Sequence, residues 1–173
     1  MLGGSQQQTS SITHRADFSV FRGEDILGKN LATDYFYKFW MSHERPARKH
    51  IHPEKMKSYL ENLVIMDVQR NDDDIALHVR LIGTLVAHYY GEITDKDVNA
   101  MPNEGAAKRI YYLCSLVLDE KAPLLTGTPG FAEDKQYLEA WALYMPLFDE
   151  AGAIEKILVC VDIQKLTKPD EQP

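Results

Sequence analysis

The groups in this 173-residue chain that could bind a metal or move a proton are 6 His, 2 Cys and 26 acidic residues. His43, His50 and His52 come nearest to a ligand set. His50 and His52 lie two apart and would share one face of a strand. No spacing supplies a third ligand, and Pro46 and Pro53 mark the segment as a solvated loop. Asp72, Asp73 and Asp74 lack the glycine and distal glutamate of a calcium loop, so they read as a hairpin turn. Cys114 and Cys160 belong to no CxxC or Cys/His pair and sit in apolar stretches, which suits buried structural thiols. A reactive thiol needs an exposed, electropositive setting. There is no GxSxG, P-loop or HExxH motif. No metal site and no enzymatic activity are expected.

Composition narrows the partners. Apolar residues make up 45% and charged residues 26%, as in an ordinary globular domain. The length suits one domain with one core. The net charge is -7 and no stretch concentrates Lys and Arg, so nucleic acid and anionic membranes are not expected partners. No apolar run approaches the ~18 residues that span a bilayer. Met1 to Thr13 lacks the basic and apolar regions of a secretory signal, and a cytoplasmic protein is expected.

Periodicity supplies the elements that must position any site. Residues 1–28 form a polar tail and a lead-in, with 16–28 open to reading as strand, turn or docking segment. Leu31 to His43 is a helix with an aromatic stripe of Tyr35, Phe36, Phe39 and Trp40. A second helix is expected to open at Pro53 and continue through Met56, Tyr59, Leu60 and Leu63. Val64–Val68 and Ile75–Ile82 form a hairpin around Asn71–Asp74, with Ile75, Leu77, Val79 and Leu81 sharing one face. Thr84 to Tyr90 is a short helix closed by Gly91. Residues 92–103 read as irregular and polar. Glu104 to Glu120 is a long helix burying Ile110, Leu113, Cys114 and Val117. Strands follow at 124–128, 136–148 and 154–163, with Trp141 and Tyr144 on opposite faces of the second. The tail from Thr167 is polar. The fold class is α+β: a five-stranded antiparallel sheet with helices packed on one face, plus an N-terminal helix, over residues 29–166.

This element order resembles the PAS fold, and local motifs sharpen the resemblance. Trp40 with Arg45-Pro46-Ala47-Arg48, Ile51-x-Pro53, and Leu63-x-Ile65-x-Asp67-Val68 are similar to a PAS subfamily common in alphaproteobacteria as short stand-alone proteins. So are Arg80-Leu81-Ile82-Gly83-Thr84 with Gly91, and Leu143-Tyr144-Met145-Pro146-Leu147 before Gly152. The resemblance covers about residues 30–166. Members often carry acidic residues where this chain has His50 and His52. An Asp before Pro53 would cap a helix, which His does poorly.

The resemblance implies a sensory or interaction module. It names no ligand, because fold does not fix function. Nothing like the GxNCRFLQ helix of flavin-binding photosensors follows Gly91, and residues 104–120 hold no His for a haem. Neither cofactor is expected. A small molecule is expected in the cavity between helices and sheet. Its candidate contacts are Arg80, Tyr144, Trp141, Met66, Tyr111 and Cys114, with Arg80 and Tyr144 as polar anchors. Alternatively, Arg80 faces outward and pairs across the sheet with an acidic neighbour such as Glu139. Phe36, Phe39 and Trp40 either join two chains in a homodimer or fold back onto their own sheet. No output domain is expected within the chain, so a signal would leave through a signalling partner. The alternative to sensing is a ligand-free interaction or dimerisation adaptor.

Overall fold

A computed structural model describes residues 18–130 and 136–166. The tails expected at 1–15 and beyond Thr167 lie outside the described residues.

Six strands form one antiparallel sheet, one more than the sequence suggests. They are β1 (Ser19–Phe21), β2 (Leu63–Asn71), β3 (Asp74–Ile82), β4 (Leu124–Pro129), β5 (Leu138–Phe148) and β6 (Ile154–Lys165), in the order β1-β4-β5-β6-β2-β3. The extra strand comes from the lead-in: β1 pairs with β4, Val20 opposite Thr126. Short strands with few apolar residues carry little periodic signal.

Three α-helices cover the sheet: α1 (Leu31–Met41), α2 (Thr84–Tyr90) and α3 (Glu104–Glu120). Asn30 and Asn103 cap α1 and α3, each side chain accepting from a backbone N–H three residues on. Gly91 ends α2 at φ 106°, a backbone that side chains rarely adopt. The helix expected from Pro53 is instead two 3₁₀ turns, Pro53–Lys55 and Lys57–Asn62. His52 makes no capping hydrogen bond there, as its side chain leads one to expect. The buried Asn62 amide donates to the Val161 carbonyl, pinning the chain where β2 begins.

Strand alternation divides the core into two layers. On β5, Ala140, Ala142 and Tyr144 face α3, while Trp141, Leu143, Met145 and Leu147 face α1. The two layers use nearly every residue of β5, so it reads as a continuous apolar run. A register shift between Ile65 and Met66 leaves Arg80 as an extra residue on β3. The bulge inverts the alternation beyond it. Leu81, expected inside, is 40% exposed, and Ile82 turns inward in its place.

Candidate functional site

The layer under α3 encloses a cavity of about 50 Å³. Its floor is the sheet. Thr126 and Thr128 on β4 lie opposite Ala142 and Ala140 on β5, and Val161 on β6 continues the row. Four small side chains in adjacent register leave a hollow that larger residues would fill. Met66, Val64 and Val159 form the neighbouring wall, and Ile110 of α3 forms part of the roof. Val86 and Tyr90 of α2 close one side, with Ile93, Val98 and Met101 from segment 92–103. That segment, polar in most of its residues, therefore contributes three buried apolar ones. It is tied to the sheet where the Val79 N–H donates to the Lys96 carbonyl and the Asp95 N–H to the Val79 carbonyl.

Among the described residues the lining holds one charge. Arg109 projects from α3 and is only 8% exposed. No carboxylate or other acceptor bonds its guanidinium among the described residues. Tyr144, 5% exposed, and Thr128, 3% exposed, also lack a side-chain hydrogen bond among the described residues. All three residues line the cavity. Burial pushes the Tyr144 phenol well above its ordinary pKa, against which the Arg109 charge works only in part. Tyr90 behaves likewise. Both phenols stay protonated and can donate.

The expected contacts scatter. Met66 and Tyr144 line the cavity. Cys114 is fully buried in the same layer but packs beside the cavity, and burial pushes its thiol well up. Tyr111 turns away from the cavity. Its hydroxyl donates to Asp97 at 2.8 Å and accepts from the Leu77 N–H at 3.0 Å. Burial, offset in part by the Leu77 N–H and reinforced by Asp97, pushes that phenol up to about 12. Trp141 lies on the other face, its ring over Gly127 and its indole N–H donated to Glu139. The three-residue step from Trp141 to Tyr144 already required opposite faces. Arg80 is outside. It pairs with Asp67, which Lys156 also bonds, and lies 3.9 Å from Asp95. The acidic partner is thus Asp67, not Glu139.

The α1 aromatics fold back onto their own sheet. Phe36 is fully buried, and Phe36 and Phe39 pack with the layer that contains Leu143 and Leu158. The Trp40 indole N–H donates to the Pro146 carbonyl at 2.8 Å. This is the second of the two arrangements that the sequence left open for these residues, and Phe39 and Trp40 stay partly exposed. The His43 and His50 rings stack at 4.1 Å, but His50 Nδ1 accepts from the Ala47 N–H. No group of three or more candidate ligands could hold a metal among the described residues.

Arg109 escaped the sequence reading, although its spacing was available. Residues 109, 113 and 117 follow the i, i+4 stripe that buries Leu113 and Val117. The alternation of Ala140 and Ala142 with bulky neighbours was the corresponding sign of a hollow floor.

Comparison with known proteins settles the family. A family model described as a PAS domain, PAS_5, matches residues 28–161. The chain belongs to this PAS domain family. The match begins ahead of α1 and ends in β6, so the PAS domain takes in both layers and the cavity between sheet and α3. Among solved structures, the PAS domain is similar to the light-state structure of the blue-light photoreceptor Aureochrome1 LOV. That match has a TM-score of 0.41 and 12% identity, over 66% of this chain and 88% of the other. It is also similar to a sensory box sensor histidine kinase from Vibrio cholerae, with a TM-score of 0.38 and 15% identity, over 66% and 92%. No curated protein matches the chain. No helix among the described residues is long and apolar enough to cross a membrane.

Proposed function

We propose that this PAS domain is a non-catalytic sensory module that binds a small molecule between α3 and the sheet and reports occupancy by contact with a signalling protein. The observation that carries the reading is the hollow over Ala140, Ala142, Thr126 and Thr128, lined also by the buried Arg109 and Tyr144. A well-packed interior leaves few such spaces. The cavity that would hold it is lined by α2, α3 and five strands at once. A ligand can shift their arrangement by as much as it prefers one state over another.

A ligand-free adaptor is the second reading. It is favoured by the cavity's size, about 50 Å³ against roughly 300–1,000 Å³ for sites that enclose drug-sized ligands. Native mass spectrometry of the protein purified from its own host separates the two. A bound small molecule, released on denaturation, supports sensing. A bare chain, with no compound from a metabolite panel raising the melting temperature, supports the adaptor. An absorbance spectrum of the same sample tests for haem and flavin, neither of which is expected.

A further inference from the structure

The polar equipment of the cavity narrows the ligand to a class, an inference that rests on the ligand-binding reading above. Among the described residues, the lining side chains include one cation, Arg109, and no carboxylate. Arg109 is more than nine-tenths buried and lines the cavity, and no acceptor bonds its guanidinium among the described residues. An uncompensated buried charge is costly. A bound anion would supply the missing countercharge. Guanidinium pairs best with a planar carboxylate, through two parallel N–H···O bonds. The Tyr144 and Thr128 hydroxyls, also without a side-chain hydrogen bond among the described residues, can donate to the same anion. A single positive charge matches a monoanion better than a phosphate dianion. Apart from Tyr90 and Thr126, the remaining described lining is aliphatic, from valine, isoleucine, methionine and alanine, and suits an apolar chain. The small volume sets a short length.

We infer that the cavity takes a short-chain aliphatic monocarboxylate, its carboxylate on Arg109 and its tail against Met66, Val159 and Ile110. The test uses the full chain at pH 7, with sodium butyrate, hexanoate and octanoate as probes. 1-Hexanol, hexylamine and inorganic phosphate serve as comparisons. Binding is read by thermal shift and by isothermal titration calorimetry. At least one acid is expected to raise the melting temperature with concentration, while hexanol, hexylamine and phosphate do not. Arg109→Met should weaken the acid at least tenfold. Arg109→Lys keeps the charge without the fork and should fall in between, which retains a reading if the methionine variant does not fold. Equal stabilisation by hexanol and hexanoate, or acid binding unchanged in both variants, would overturn the carboxylate assignment and leave the sensor reading standing. Binding of phosphate alone would overturn it too. If neither acids nor alcohol bind and the protein carries nothing from its host, both readings fall together.

Discussion

Replacing Ala142 with valine adds two methyl groups where the floor is hollow. Ala142 lies on β5 between Thr126 of β4 and Val161 of β6, and all three line the cavity. Residual cavity volume costs about 24 cal/mol per Å³. For about 50 Å³ the ceiling is about 1.2 kcal/mol. Valine fills part of that space and suits a strand. The expected gain is about 0.5–1 kcal/mol, or roughly 1–4 °C in melting temperature for a chain of this size. Urea denaturation with circular dichroism measures the free energy, and calorimetry measures the midpoint. Ala76→Val, at a half-buried position on β3 outside the cavity, controls for strand propensity. Ligand binding should weaken in the same Ala142→Val protein. A loss of about 1–3 kcal/mol instead would mean that the valine is overpacked, and the floor is not hollow.

Three further substitutions test the surrounding frame. Gly127→Ala would place a Cβ 2.7 Å from the Trp141 ring, so a loss of about 1–3 kcal/mol is expected in denaturant titrations. Tyr111→Phe removes the hydroxyl between Asp97 and the Leu77 N–H and should cost about 1–3 kcal/mol. Retention of any cavity ligand should be unchanged, and a loss of ligand without unfolding would return Tyr111 to the site. Burial raises the Asp67 carboxyl, but hydrogen bonds from Lys156 and Arg80 outweigh it and hold the group below the usual carboxylate range. Its stabilising effect is therefore present above the unfolded pKa of about 4 and lost as pH falls through the lower folded value. Asp67→Asn should be less stable than the parent by about 1 kcal/mol at pH 7. In acid denaturation curves the gap should close below about pH 4; a gap independent of pH would show that the pairing contributes nothing.

The fold was legible where apolar spacing was strong. α2 and α3 lie at the residues read from the sequence, and the β2–β3 hairpin turns at Asp72, whose φ is 54°. What escaped depended on partners distant in the chain. β1 is three residues long and is stabilised by β4, more than a hundred positions on. The bulge at Arg80 is a property of two paired strands, and alternation along β3 alone cannot reveal it. The same limit governed the site. Arg80 and Arg109 are both cations within amphipathic elements. Only Asp67 and Lys156 across the sheet show why the first remains outside, while the small residues of β4 and β5 show what the second faces. Trp141 is a different case: strand geometry placed it opposite Tyr144, and grouping the two in one pocket overlooked that parity.

Methyl NMR of the isotope-labelled chain during titration with hexanoate locates the ligand most directly. If the hollow under α3 is the binding site, resonances of Met66, Ile110 and Val159 move and saturate together, while Leu143, Leu158 and Ile65 on the α1 side remain still. Saturating shifts confined to the α1 layer, or spectra unchanged by hexanoate and by extract from the host alike, would contradict it.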